Sequence, residues 1–437
     1  MHCSGRSRSA LAAADRLRGR CTRRPMCGPT TRRGGGTRRL SASRRPTCGR
    51  ICVAATAQRS SHMPRLVLFG EYLCHHIGGA EKSTYLLAKE LQRNPELEIV
   101  PVSGVCEEYE RSRERIPYEG LVEVPIVRLK YRLPFLQYTI NSGAVSDYFR
   151  RSDADVLFAN AQAAPMAINR FDGPSVYFIH DEMSLNVYRT YDKSVWKRLK
   201  FAGRQIADFP FMLRYRRENE RAMEKASLVV ANSSYTARRA RDRMGVRAEV
   251  IYPQIDVRSL SEIELPPRDE RPYIMMVGDG AVKGADTFLR IAELMPDREF
   301  LAVGRSYGGR KRGNVTFRGF VPDPVTHYRE AGLVLLPSTW EEGFGMVSVE
   351  AAALGVPAIV SDRGGLPETV PSRALVVENY REPTEWVDRI RRVLDDYEAH
   401  SRACSTHAEQ FDGRRQAERL VDLVRETAGV DLWKEIR

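Results

Sequence analysis

The sequence predicts an α/β protein made of two successive domains, each a parallel sheet covered by helices on both faces. Three observations carry this. From Met63 onward, short apolar runs alternate with amphipathic stretches of helical period, the pattern of strands buried on both faces. The alternation breaks once, in a proline-rich stretch, and starts again at Tyr273. The length, 437 residues, exceeds what one hydrophobic core normally serves.

Residues 1–62 stand apart from this pattern. They hold fifteen arginines, no lysine and one acidic residue, Asp15, a net charge of +14 against +13 for the whole chain. The remaining residues are therefore close to neutral, and nucleic acid is not an expected partner. The stretch has too little apolar surface to offset the entropy of ordering it and is expected to be a disordered extension. Translated sequence ahead of a start at Met63, a targeting segment and a functional basic tail all remain open as its origin. Five of the eight cysteines lie in it, without paired zinc spacing. Cys74, Cys106 and Cys404 are scattered through the rest, which is no disulfide framework and points to a reducing compartment. No apolar run reaches the roughly 18 residues of a spanning helix, so a cytoplasmic location is expected.

Residues 63–255 are expected to form the first domain. Its strands are read at Leu66–Phe69, Glu98–Val105, Val124–Leu129, Asp155–Ala159, Ser175–Ile179, Leu228–Ala231 and Glu249–Tyr252. Its helices are read at Ala80–Arg93, with Tyr85, Leu86, Ala88 and Leu91 inward, then Phe135–Arg151, a long region Leu185–Lys225, and Ser233–Met244. Residues 256–272, with Pro266, Pro267 and Pro272, are the linker. The second domain, 273–411, is read with strands at Tyr273–Val277, Phe300–Val303, Val315–Phe317, Leu333–Leu336, Ala358–Ser361 and Leu375–Val377. Helices are placed at Ala285–Met295, Val325–Ala331, Met346–Leu354, Gly365–Val370 and Glu382–Gln410. Met275 and Met276 read as core. Residues 412–437 are expected to be a helical segment packing back on the first domain.

In open parallel sheets, ligands sit outside the carboxyl ends of the strands. Gly78-Gly79, His180-Asp181, Asn232-Ser233-Ser234, Gly278–Lys283, Gly304 and Ser338–Gly345 fall at such ends, so two facing sheets would line a cleft with them. The most informative stretch is Leu336–Gly355, a strand end, a glycine-bearing loop and an alanine-rich helix, with Glu342 and Glu350 eight positions apart. The unpaired N–H groups and partial positive charge at the start of that helix suit a phosphate, and the glycines admit a ligand close to the main chain.

The run Glu342–Glu350, EGFGMVSVE, resembles the E-x7-E signature of retaining, nucleotide-sugar-dependent glycosyltransferases of family 4, the group 1 glycosyltransferases. Their fold is GT-B, two Rossmann-like domains facing a cleft. Gly78-Gly79-Ala80-Glu81, Val277-Gly278 with Lys283-Gly284, and Gly364-Gly365-Leu366-Pro367-Glu368 are similar to further motifs of that family, and the resemblance covers about residues 64–425. It implies transfer of a sugar, most simply a hexose, from a nucleoside-diphosphate sugar to the hydroxyl of a glycan, lipid-linked or small-molecule acceptor, with retained anomeric configuration and without a cofactor or required metal. It places Glu350 on the ribose hydroxyls, and Glu342 with the N–H groups of Gly343, Phe344 and Gly345 at the donor sugar. Met346 and Val347 would meet a phosphate through their N–H groups. Lys283 and Gly278 belong to the diphosphate, His180 to the donor sugar, and Gly78 and Gly79 to the diphosphate or acceptor. The chain departs from the family where many members carry Arg after the glycine: here stands Asp279. Arg305 is the candidate for the second cation, with Arg363 a weaker one.

Plainer readings stand beside these. Glu350 and Glu81 suit the first turns of helices without any ligand, Lys283 suits a surface turn, and His180 a structural role, while Asp181 either orients a functional His180 or is only a loop residue. Glu341 is read as solvent-facing. Tyr188–Arg217 mixes aromatics with Lys193, Lys197, Arg198, Lys200, Arg204, Arg214, Arg216 and Arg217, either a solvated helix face or a surface that rests on an anionic membrane. A nucleotide-sugar epimerase or hydrolase on the same fold, and a non-catalytic nucleotide-sugar or glycan-binding protein, are the alternatives to transfer.

Overall fold

The computed structural model describes residues 63–432 apart from 76–77, 108–114, 130–132, 181–182, 186–194 and 320–324. The basic extension 1–62 and Asp181 thus lie outside the described residues, as does the first part of the Tyr188–Arg217 stretch.

The N-terminal sheet is formed by β1 (Arg65–Gly70), β2 (Glu98–Val105), β3 (Val122–Pro125), β4 (Val156–Asn160), β5 (Ser175–Ile179), β6 (Leu228–Ala231) and β7 (Glu249–Val250). They lie in the order β3-β2-β1-β4-β5-β6-β7, every pairing parallel. β1 shows why its apolar run is continuous. Leu66 lies opposite Ile99 on one side and Val156 on the other, so the strand is central. Val67 and Phe69 enter one core while Leu66 and Leu68 enter the core on the opposite face. The helices α1 (Gly79–Leu91), α2 (Pro134–Phe149), α3 (Ala164–Ile168), α4 (Val195–Lys225) and α5 (Ser234–Met244) cover these faces. α4 is anchored by buried Asp208, which accepts hydrogen bonds from the N–H groups of Phe135 and Leu136 at the start of α2.

The stretch between the sheets contains α6 (Val257–Ser261), capped by Asp256. The second sheet follows with β8 (Tyr273–Val277), β9 (Glu299–Val303), β10 (Arg310–Arg312), β11 (Val315–Arg318), β12 (Ala331–Leu336), β13 (Ala358–Ser361) and β14 (Val376–Val377). Its order is β10-β11-β9-β8-β12-β13-β14. Met275 and Met276 are both core, one on each face of β8. The helices here are α7 (Ala285–Leu294), α8 (Val325–Tyr328), α9 (Met346–Ala353), α10 (Pro383–Asp395), α11 (Tyr397–Ala408) and α12 (Gly413–Ala428). α12 returns to the first sheet: Ala417, Leu420, Val421 and Val424, spaced as one helical stripe, pack with Leu66, Leu87 and Ile251.

The structure corrects several sequence expectations. Leu87 and not Leu86 joins Leu91 inside, and Tyr85 is only half-buried, because the inward stripe of α1 is Ser83, Thr84, Leu87, Ala88 and Leu91 and includes two hydroxyl residues. The strand read at Val124–Leu129 is β3, Val122–Pro125, ended by its own proline. The helix read through Glu382–Gln410 is broken at Asp396 into α10 and α11. β10 pairs antiparallel on the sheet edge, and its exposed Arg-Lys-Arg sequence offers no apolar pattern to detect.

Both sheets reverse their strand order at one place, beside β1 and β4 in the first and beside β8 and β12 in the second. The crevices outside these strand ends are where this architecture holds ligands.

Candidate active site

A cavity of about 270 Å³ lies where the carboxyl ends of the two sheets meet. The N-terminal half contributes Gly79, Ala80, Ser83, His180 and Asn232 to its lining. The C-terminal half contributes Lys283, Ser338 and the whole run Glu342–Val347.

Lys283 and Glu342 face each other across this lining. The ammonium of Lys283 donates to both carboxylate oxygens of Glu342, at 2.6 and 2.9 Å, and the Ser338 hydroxyl donates to the same carboxylate at 2.9 Å. Two glycines make the pairing possible. Gly278, at the end of β8, has φ +124, and its bare Cα receives the stem of Lys283. Gly284 has φ +84, and a Cβ there would stand 1.9 Å from the carbonyl oxygen of Pro337, so only glycine brings this turn against the exit of β12.

The loop after Glu342 touches the opposite half. A Cβ on Gly343 would lie 2.5 Å from the His180 carbonyl oxygen and 2.7 Å from the amide of Asn232. Phe344 is buried against Tyr252 and Phe411, which fixes the loop from beneath. Gly345 precedes α9, so the free N–H groups of Met346 and Val347 begin that helix at the cavity wall. His180 is held by a 2.9 Å contact between its Nε2 and Asn160 Oδ1, with Phe178 stacked beside it.

Glu350 is placed differently. It is buried on α9 and does not line the cavity. One carboxylate oxygen accepts from Lys82 of α1 at 2.6 Å, and the other lies 3.2 Å from the Tyr328 hydroxyl. Burial first, and then the Glu350 charge, push that phenol well above its usual range, so it stays a donor. Gly78 caps α1, its N–H donating to Glu81 at 2.9 Å, which gives Glu81 the plain capping role.

Arg305 does not line the cavity and lies beside Asp279. Burial alone would raise the Asp279 carboxyl. The hydrogen bonds from Ser306 and the charge of Arg305 outweigh it and hold the group below its usual range. Asp279 accepts from the Ser306 N–H, so it ties the end of β8 to the loop after β9. Glu341 is not solvent-facing: its side chain is 17% exposed and pairs with Arg363 at 3.2 Å, which also takes Arg363 away from the cavity. The second half of the glycine-rich 364–368 run closes the halves together, since Glu368 accepts from the N–H groups of Ser234 and Tyr235 at the start of α5.

Lys82, Tyr328 and Asn160 are the site residues that sequence reading missed. Lys82 had a usable signal: Gly79, Lys82 and Ser83 share one face of a helix by their i, i+3, i+4 spacing. Tyr328 and Asn160 had none. Among the described residues, no group of three or more His, Cys, Asp and Glu side chains is arranged to hold a metal ion. The three cysteines among them form no disulfide with one another. No helix among them is long and apolar enough to cross a membrane.

Known proteins with this layout carry the same sequence patterns. The family model described as Glycosyltransferase Family 4 matches residues 77–259, and that described as Glycosyl transferases group 1 matches residues 261–411, together about three quarters of the chain. The chain belongs to glycosyltransferase family 4. The D-inositol 3-phosphate glycosyltransferase of Paenarthrobacter aurescens is 28% identical over 249 residues, which are 49% of this chain and 61% of that protein, so the match stops short of two thirds of the relative's length. Among solved structures, sucrose-phosphate synthase from Thermosynechococcus elongatus superposes with a TM-score of 0.60 at 18% identity, over 83% of this chain and 98% of the other. Anabaena HepE, solved in complex with UDP-glucose, gives 0.59 at 18% identity, over 84% and 100%. At these identities the structural likeness establishes the GT-B fold of this family-4 chain and nothing finer.

Proposed function

We propose that this family-4 chain is a retaining glycosyltransferase that moves a sugar from a nucleoside-diphosphate sugar to an acceptor hydroxyl. The observation that carries this reading is the Lys283–Glu342 pair set on the cavity wall beside the N-terminus of α9. A cation and the N–H groups at a helix start on one cavity wall suit a leaving diphosphate, where negative charge develops during transfer. Glu342 and His180 lie on the same lining and would face the sugar, and Glu350 offers a carboxylate for two ribose hydroxyls. The complex of Anabaena HepE with UDP-glucose supports a nucleotide-sugar donor. In this reading the departing phosphate helps to take the acceptor proton on the same face, and the protein supplies the charge stabilisation without a required metal or cofactor. Incubation with donor and acceptor is expected to yield free nucleoside diphosphate and glycosylated acceptor in equal amounts, with the anomeric configuration of the donor kept by NMR. Inverted product, or turnover with acceptor left unmodified, would favour another reaction on this fold.

The acceptor side is proposed to rest on an anionic lipid surface at the cytoplasmic face, which favours a lipid-linked acceptor. In α4, Val195, Trp196, Leu199, Ile206, Phe209 and Leu213 are exposed, Trp196 and Ile206 each at 76%. Arg198, Lys200 and Arg204 stand exposed among them, and no acidic residue occurs between Val195 and Ala207. Single exposed leucines are ordinary, but this many on one helix, rimmed by cations, match a helix lying in a membrane interface. Trp196→Ser combined with Ile206→Ser is expected to abolish co-sedimentation with anionic phospholipid vesicles while leaving the melting temperature unchanged. Undiminished sedimentation would remove the lipid surface from the account.

A further inference from the structure

We propose that Lys82 is the second cation of the donor diphosphate, and that in the empty site it is held on Glu350 until the ribose of the donor takes that carboxylate. This rests on the nucleotide-sugar reading above. The Lys82–Glu350 pair joins α1 of the first sheet to α9 of the second, 268 positions apart in sequence. The Glu350 side chain is 7% exposed and that of Lys82 39%. A carboxylate so buried is costly without a compensating charge, and Lys82 provides it.

The cavity stops short of this pair. Ala80 and Ser83 line it from one side and Met346 and Val347 from the other, while Lys82 and Glu350 do not line it. Its volume, about 270 Å³, also falls just below the roughly 300–1,000 Å³ of pockets that enclose small-molecule ligands. An ammonium donates to a carboxylate with the same hydrogen-bond polarity as a pair of ribose hydroxyls. A ribose therefore competes with Lys82 for Glu350, and replacing the ammonium enlarges the space at the same time.

The released ammonium has a destination nearby. α1 starts at Gly79, and a Cβ there would lie 2.9 Å from the sulfur of Met346, the first residue of α9. Lys82 is one turn further along α1, on a flexible four-carbon stem, so the anion seated at the start of α9 is its nearest new partner. The other basic candidates are engaged elsewhere, Arg305 beside Asp279 and Arg363 on Glu341. Among the described residues lining the cavity, Lys283 is the one Lys or Arg. Lys82 thus fills the place left by Asp279 with a cation from the opposite half.

Calorimetric titration of the full chain with UDP, GDP and ADP, each alongside its nucleoside, tests this. Lys82→Met is expected to tighten the nucleoside about threefold, since the ribose no longer competes with a partly exposed ion pair. The same variant should weaken the diphosphate about tenfold through loss of a charge-assisted contact. Lys82→Arg keeps the cation and should hold the ratio of the two dissociation constants within about threefold of wild type, and it carries the test if the methionine variant melts early. Lys82→Met acting equally on nucleoside and diphosphate, or on neither, would overturn the proposal and leave the donor reading standing. A wild-type chain that binds none of the three diphosphates would overturn that reading and the proposal together.

Discussion

Lys283→Met is expected to lower kcat/KM for sugar transfer by at least about 10²–10³-fold, the usual cost of removing one preorganised group that stabilises developing charge. The side chain is 44% exposed and its stem lies over Gly278, so methionine keeps the packing and removes only the charge. Glu342 then loses its bidentate partner and retains the Ser338 hydroxyl. The loss should fall mainly on kcat, because the cation is needed most when the diphosphate departs. Steady-state kinetics alongside a thermal melt checks this: a melting temperature near wild type with transfer lost is the expected pair of results. Activity close to wild type would place the diphosphate somewhere other than the start of α9.

Glu350→Gln should act on binding. The amide has nearly the shape of the carboxylate but loses the charge that accepts from ribose hydroxyls, and a weakening of donor affinity by about tenfold to a hundredfold is expected. The fold should tolerate the change, since Lys82 has solvent access and Tyr328 can still donate to the amide oxygen. The signature is a raised dissociation constant for both the nucleoside and the nucleoside diphosphate, which separates Glu350 from Lys283. Calorimetry on the two variants side by side reads that difference.

Much of the fold was legible because the strands are buried on both faces. Runs such as Leu66–Phe69 and Ile274–Met276 have no polar face to blur the pattern, and their alternation with helices fixes a parallel architecture. What failed was polar or marginal. β10 is an arginine-lysine edge strand, and the inner face of α1 uses Ser83 and Thr84, one bonding Gln254 and the other the carbonyl of Ala80. The site was legible where glycines and charged residues crowd one loop, so the Glu342–Val347 run and Lys283 were named from sequence and line one cavity. Pairings across the two halves were not, because they join residues hundreds of positions apart. From sequence Glu341 reads as solvent-facing, since nothing local reveals Arg363 beside it. Lys82 went unnoticed since its partner lies on another sheet's helix.

In the proposed function this cavity receives a nucleoside-diphosphate sugar whose ribose sits on Glu350. Titrating the wild-type chain and Glu350→Gln with a panel of UDP-, GDP- and ADP-sugars in a calorimeter tests it most directly. At least one donor is expected to bind the wild type, and its affinity to drop in the variant. Binding of no donor in the panel, or equal affinity in both proteins, would contradict it.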